Sequence, residues 1–404
     1  MDFNRRETAF PLHPDPHRYY LLYVHIPFCK TLCPYCSFTR VQFEEHLALS
    51  FFKALRREIE SYSTMGFNFH SVYIGGGTPT ILPDSLIEII SLITSLWNIR
   101  EISVETNPNA LTPSITTLLK EAGVNRLSVG VQTFDDTLLK TIGRYHKYGS
   151  GTEIEERIEE TRNIFDTLNI DMIFNLPGQT RTTLDADLET LINLEPDQVT
   201  YYPLMNAGPA RMQLQDLFGK AAHRKERSFY QVITDRLRPF YFHATAWCFT
   251  KTAGMIDEYI TREEEYVGSG AGAFGYVNGT LYANTCSVER YIGHIQSGES
   301  PLFGSRRFPR YARMHYTLLM HLFEGRVSPP ALEYRHGRIA SLLLPFEIAL
   351  LSLIGAATRQ GAYVCITEKG RYLLVVLMRE FFTAVNRLRE ICRKGPERPR
   401  VGRN

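Results

Sequence analysis

YVHIPFCKTLCPYCSF, from Tyr23 to Phe38, places three of the chain's seven cysteines in a C-x3-C-x2-C spacing. Tyr23 to Ile26 read as the end of a short apolar strand. Cys29, Cys33 and Cys36 therefore begin just beyond a strand's carboxyl end, where α/β enzymes place their chemistry. Pro27 and Pro34 stiffen the loop between them.

Outward from this loop, short β-branched strands alternate with helical patterns. Leu21 to His25 is followed by a helix over Glu44 to Tyr62, and Ser71 to Ile74 runs into the glycines 75–77. Asp84 to Leu96 is helical. Ile102 to Glu105 is the third strand, and Thr112 caps a helix with Pro113 at its first position. Arg126 to Val129 is the fourth strand. Ile154 to Leu168 reads as a helix, Ile170 to Phe174 as a strand, Thr180 to Leu194 as a helix and Gln198 to Tyr201 as the sixth strand. Such alternation implies right-handed βαβ crossovers in a mostly parallel sheet. Six units fall short of the eight of a closed barrel. The expected fold is α/β, a partial or open (β/α)6 TIM-like barrel with a small, mostly helical C-terminal domain.

The texture sets the expected boundaries. Residues 1–20 form an N-terminal extension, 21–205 the partial barrel, and 206–309 an extension completing the barrel and the substrate site. Residues 310–394 form a helical, winged-helix-like domain, and 395–404 a basic tail. Within the extension, Ala221 to Leu237 reads as a helix, and a glycine-rich turn runs from Gly268 to Gly275. Arg310 to Glu324, Pro345 to Ala357 and Arg371 to Glu390 read as helices around a strand from Ala362 to Ile366. The basic stretch from Arg387 to Arg400 has the look of a frayed end.

With 45 Lys and Arg against 43 Asp and Glu, the charge balance gives no general reason to expect nucleic acid. Residues 1–20 lack the apolar core of a signal peptide. The greasiest run, Leu342 to Leu353, is broken by Pro345 and Glu347 and is too short to span a bilayer. An odd number of cysteines, three of them crowded together, speaks for a reducing compartment. These features place the chain in the cytoplasm, with at most peripheral contact at the inner face of the membrane.

Three thiolates so close together point to a metal. Structural zinc wants four ligands, and Cys248, Cys286, Cys365 and Cys392 are isolated. A redox pair at Cys33 and Cys36 leaves Cys29 without a purpose. A [4Fe–4S] cluster normally takes four thiolates, so three leave one iron open to another ligand. Iron–sulfur is the preferred reading, with zinc as the alternative. His25 fits either a core histidine with both nitrogens satisfied or an orienting bond to the loop. The run Gly75-Gly76-Gly77-Thr78 reads as a ligand cradle with exposed N–H groups, or as an ordinary turn. Glu105, Gln132 and Asp171 sit at successive strand ends. Glu105 suits an ammonium, Asp171 ribose hydroxyls and Arg144 a carboxylate, although Asp171 also fits a plain turn carboxylate.

Further stretches extend the pattern. They are GGGTPT at 75–80, E-x-N-P at 105–108, R-x-S-x-G-V-Q-x-F from Arg126 to Phe134, D-x-I-x-x-L-P-G-Q-T from Asp171 to Thr180, and G-x-G-A-G from Gly268. With the cysteine loop, these resemble the radical S-adenosylmethionine (SAM) enzymes, in the oxygen-independent coproporphyrinogen III oxidase-like group. The resemblance implies that Cys29, Cys33 and Cys36 hold one [4Fe–4S] cluster whose open iron takes the amino and carboxylate groups of SAM. Tyr23, Gly76, Glu105, Gln132, Arg144 and Asp171 match positions contacting that first molecule. Tyr35, Gly77 and Thr78 match positions contacting a second SAM, with Tyr35 also counted among the catalytic residues. A flavodoxin- or ferredoxin-like protein would supply electrons.

The family's fourth cysteine is absent here, because Ser37 and Phe38 follow Cys36. The middle of the chain looks most like class C methyltransferases acting on menaquinone. The expected activity is therefore transfer of a methyl group to the naphthoquinone ring, at C8. An apolar slot near Tyr201 to Met205 and Phe240 to Phe249 would take the substrate, with Met205, Trp247 and Cys248 near its mouth. The alternatives are an anaerobic porphyrin or haem enzyme and a haem chaperone of the same group.

Overall fold

The computed structural model describes residues 14, 15, 17–205, 223–252 and 264–394. Most of the expected N-terminal extension, residues 206–222 and the tail 395–404 lie outside the described residues.

Six strands lie side by side in chain order and all parallel: Tyr20–Ile26 (β1), Phe69–Gly76 (β2), Glu101–Thr106 (β3), Arg126–Gln132 (β4), Thr167–Phe174 (β5) and Gln198–Pro203 (β6). Their register puts side chains of alternate parity on opposite faces. Val24, Ile74, Val104, Leu127, Ile170 and Val199 form a buried apolar face. Against that core pack the apolar stripes of the connecting helices, such as Phe51, Leu55 and Ile59 of Glu45–Thr64 or Leu184, Leu188 and Leu191 of Arg181–Leu194.

The other face is polar. Arg126 donates to Gln198 Oε1 and to Ser103 Oγ, and Asn169 Nδ2 donates to Ser128 and Asp171. Thr200 donates to Asn169 Oδ1 at 3.0 Å. Buried polar groups are tolerable only when bonded to one another, and this ladder does that across four strands. It also turns one face of the sheet into a lining for polar ligands.

Both edges are extended. Phe242–His243 (β7) and Cys248–Thr250 (β8) run antiparallel beyond β6. On the far side, Tyr266–Ser269 (β9) adds a further parallel strand to β1. It is followed by antiparallel Phe274–Val277 (β10), Thr280–Asn284 (β11) and Leu302–Arg307 (β12). The 12-stranded sheet ends in β7 on one side and β12 on the other, so it stays open, as the sequence leads one to expect. Glu58 locks the added strands to the first helix: its carboxylate accepts from Tyr62, Ser269, Asn284, Tyr291 and the Gly270 N–H.

The C-terminal region is mostly helical, with a three-stranded sheet of Arg326–Val327 (β13), Ala357–Gln360 (β14) and Tyr363–Ile366 (β15). Its long helix, Glu368–Lys394, returns to the main body. Arg379 pairs with the buried Glu226 at 2.5 Å, and Phe382 packs near Trp247.

Three expectations change. Ile154 to Leu168 is not one helix: Gly151–Thr161 ends in a turn with Asn163 at φ 62°, and Leu168 already belongs to β5. The helix expected from Pro345 starts earlier, as Arg338–Leu353 with Pro345 inside it. Arg387 to Lys394 is not a frayed end but helix. Leu388 and Cys392, one turn apart, are buried with Phe274, Ala283 and Cys286. Among the described residues, no helix is long and apolar enough to cross a membrane.

Candidate active site

At the carboxyl ends of β1 to β6 lies a cavity of about 1530 Å³, its open mouth included. The residues expected to hold the cluster and SAM all line it: Tyr23, Cys29, Cys33, Tyr35, Cys36, Gly76, Gly77, Thr78, Glu105, Gln132, Arg144 and Asp171.

The cysteine loop is held by backbone pairing and by His25. Val41 N–H donates to Pro27 O at 2.7 Å, closing the loop on itself. His25 Nε2 donates to the Thr39 carbonyl, and Nδ1 accepts from the Tyr23 hydroxyl, both at 2.8 Å. Burial lowers its pKa to about 4, so the ring is neutral at physiological pH. Both sequence readings of His25 hold at once: its nitrogens are satisfied, and one of them ties down the loop.

The glycine run works differently from the expected cradle of exposed N–H groups. Gly77 N–H is bonded to Ile26 O and Thr78 N–H to Phe28 O, both at 2.8 Å, while Gly76 N–H goes to Glu105 Oε2 at 3.0 Å. Glycine is required because the cysteine loop crosses at contact distance. A Cβ on Gly77 would sit 2.6 Å from the Phe28 carbonyl oxygen. The run seats the loop, and its donors are spent within the protein.

Further along the strand ends, a register shift between Gly130 and Gln132 breaks β4. Gln132 takes φ 79°, a conformation costly for a side chain and typical of functional sites. Glu105 accepts from Tyr73 as well as Gly76, and burial raises its pKa. Asp171 accepts from Ser128 at 2.7 Å and from Asn169 at 2.8 Å. Burial pushes Asp171 up to about 7, against these bonds, with the charge of Glu105 adding to the rise. Arg144 donates to the Tyr35 hydroxyl at 3.1 Å and to Gly130 O at 2.5 Å, over the Tyr148 ring. Its Nε is buried without a partner.

Several lining residues escaped the sequence reading. Lys147 Nζ lies 3.7 Å from Cys33 Sγ and donates to Thr31 O at 2.6 Å. Arg40 donates to the carbonyls of Cys33 and Cys36. From the far end of the chain come Phe382, Asn386 and Arg389. Lys147 and Arg40 sit close to motif positions and carry charge, which is the only signal that could have found them. Of the three residues expected near a quinone slot, Met205 lines the cavity. Trp247 and Cys248 are fully buried behind it, in the core and in the β8 ladder.

The donor set fits an iron–sulfur cluster. Among the described residues, no three His, Cys, Asp or Glu side chains gather around one metal ion. Ligands that each hold a different iron need not converge, and the three thiols share one wall of the cavity. The unpaired Arg144 Nε and the carboxylates of Glu105 and Asp171, in one cavity lining, suit a zwitterionic amino acid group.

Comparison with known proteins agrees with this geometry. The family model of the radical SAM superfamily matches residues 23–191. A haem chaperone of Bacillus subtilis, HemW, is 29% identical over 374 residues, covering 87% of this chain and 96% of that protein. The Lactococcus lactis HemW is 33% identical over 280 residues, 67% of this chain and 73% of that one. An oxygen-independent coproporphyrinogen III oxidase of Cereibacter sphaeroides is 28% identical, covering 88% and 83%. In fold, the chain is similar to coproporphyrinogen III oxidase from Escherichia coli, with a TM-score of 0.76 over 91% of each chain at 22% identity.

The chain belongs to the radical SAM superfamily, in the group that joins haem chaperones with oxygen-independent coproporphyrinogen III oxidases. That membership brings a [4Fe–4S] cluster and SAM. It also overturns the expectation of menaquinone methylation, since these relatives are named for haem and porphyrinogen. The physical reason for the error is plain: an aromatic run reads alike whether it lines a slot or fills a core. Trp247 and Cys248 fill the core, while Phe240 and Phe242 are exposed.

Proposed function

We propose that this chain binds a tetrapyrrole beside a cluster-held SAM, with a haem chaperone as the favoured form of that activity. The kinship that runs through almost the whole length of the Bacillus subtilis haem chaperone carries the reading. An anaerobic porphyrinogen oxidase is the second form, supported by the Cereibacter sphaeroides relative, although Ser37 and Phe38 stand directly after Cys36.

In this reading Cys29, Cys33 and Cys36 would hold the cluster and leave it open to SAM. Glu105 takes the ammonium, the free Nε of Arg144 the carboxylate and Asp171 the ribose hydroxyls. Tyr23 backs the methionine side, and Gln132 is turned toward the ligand by the break in β4. A second ligand would share the open mouth of the cavity with the first. Tyr35, Gly77 and Thr78 would face that ligand, a second SAM or the macrocycle itself. When bound, the reduced cluster and SAM supply radical hydrogen-abstraction chemistry. The protein's own part is to hold the ligand in place and keep water out. An apolar wall of Phe38, Leu204, Met205 and Phe382 suits a flat ring.

Reconstituting the cluster and adding reductant, SAM and either haem or coproporphyrinogen tests this. Haem retained with SAM uncleaved supports the chaperone. Carbon dioxide released from coproporphyrinogen, together with 5′-deoxyadenosine, supports the oxidase. Neither binding nor turnover of a tetrapyrrole would sink the reading.

A further inference from the structure

The part of the cavity lining contributed by the C-terminal helix, which the cluster and SAM assignments leave unused, carries charge. Asn386 and Arg389 lie about one turn apart and both line the cavity. They are 3% and 9% exposed. Arg389 Nη1 donates to Asn386 Oδ1 at 2.7 Å. The guanidinium sits over the Phe38 ring, 5.1 Å from its centroid, with Phe274 at 5.8 Å.

What these groups lack is equally specific. Arg389 Nε and Asn386 Nδ2 are buried without partners. Among the described residues, no carboxylate forms an ion pair with Arg389. A desolvated guanidinium without a counter-ion is costly to the folded chain. Held near two aromatic rings and beside a second free donor, it is also a ready-made fork for a carboxylate.

We propose that Arg389 and Asn386 dock a carboxylate of the substrate: an acidic side arm of a macrocycle whose ring lies against Phe38 and Phe382. This rests on the tetrapyrrole reading and names the group by which the macrocycle is oriented. It is a binding interaction and involves no covalent step. In the same reading Arg144 serves the SAM carboxylate, so each anion has its own cation.

The test titrates the cluster-loaded full chain with haem and with haem dimethyl ester, which keeps the ring and removes the charge. Native protein should prefer the diacid by about tenfold or more, the range of a charge-assisted hydrogen bond. Arg389→Gln should bring the two ligands to near parity. Arg389→Lys should recover part of the preference, and Asn386→Leu should lose a smaller part of it. Because the readout is a ratio within each variant, damage to the fold weakens both ligands and cancels. Equal affinity of native protein for the two ligands overturns the docking point while the tetrapyrrole reading stands. An unchanged preference in Arg389→Gln, or a change in SAM affinity without a change in the ratio, also overturns it. If native protein binds neither ligand, the docking point falls together with the tetrapyrrole reading.

Discussion

Two stretches of the chain line the cavity as walls, and they were built in different ways. One is the cysteine loop with the strand ends behind it, a stretch of the first half of the chain in which spacing alone places the groups. The other is the last three turns of the Glu368–Lys394 helix, which arrives from the far end of the sequence. Arg393 donates to the Phe38 carbonyl at 2.5 Å, and the Arg389 guanidinium covers the Phe38 ring, so the two walls touch at the edge of the loop. The first wall carries the groups common to the superfamily. The second lies outside residues 23–191, the span that the superfamily model matches, so it is the place to look for substrate choice.

The largest expected effect falls on the first wall. Cys33→Ala removes one of three thiols, and no other cysteine lines the cavity to replace it. Iron content and visible absorption of the reconstituted protein should fall to near background, with cluster-dependent SAM binding lost. Full iron loading in this variant would break the assignment of the loop. The helix wall should be unaffected, which far-ultraviolet circular dichroism and the thermal midpoint can check.

The second wall depends on a buried ion pair outside the cavity. Arg379 and Glu226 are 8% and 2% exposed, and Tyr372 is the other donor to the same carboxylate. Arg379→Met leaves Glu226 buried without its cation, at a cost of about 3–5 kcal/mol. The loss should appear in denaturant unfolding. If the two walls are as separable as their origins suggest, cluster loading of the folded fraction should persist while haem binding weakens. Simultaneous loss of both would show that the cover is part of the cofactor site.

A smaller effect tests the seam between loop and strand. A Cβ on Gly77 meets the Phe28 carbonyl oxygen at 2.6 Å and its amide nitrogen at 2.9 Å, both backbone atoms that cannot swing away. Gly77→Ala should cost about 1–3 kcal/mol through overpacking and lower cluster loading. Gly293, in the helix Val288–Gln296, has nothing near its added Cβ, so Gly293→Ala should stabilise by about 0.5–1 kcal/mol. The contrast in thermal midpoints separates a glycine needed for close approach from one that is not.

The walls also differ in how far the sequence revealed them. Strand ends at Glu105, Gln132 and Asp171 were legible because βα periodicity fixes which end of each strand faces the site, while Tyr23 came from the family resemblance alone. The cysteines were legible because their spacing is local. Arg389 and Asn386 were not, since only tertiary packing brings residues so distant in the chain next to Phe38. The burial of Leu388 and Cys392, which makes that stretch helix instead of tail, depends on partners in β10 and β11. Trp247 failed for the opposite reason: an aromatic residue beside a possible slot has the same signature as one in the core.

The finest distinction lies within the first wall, between its two carboxylates. Burial raises the pKa of both Glu105 and Asp171, and holds Asp171 near 7. For stability the sign is that of a raised acid. Asp171's contribution is complete below its unfolded value of about 4 and is lost as pH rises through about 7. For ligand binding the sign reverses. Hydroxyl donors favour the ionised carboxylate, so SAM binding releases a proton, and affinity should rise between pH 6 and 8 by at most about tenfold per unit. Asp171→Asn cannot titrate and should flatten that slope, which calorimetry in buffers of different ionisation enthalpy can read as lost proton release. A slope that survives the substitution would move the titration to Glu105. The ammonium contact would then be the proton-linked one, because Glu105, bonded to Tyr73 and Gly76, would exchange its proton for the cation when SAM arrives.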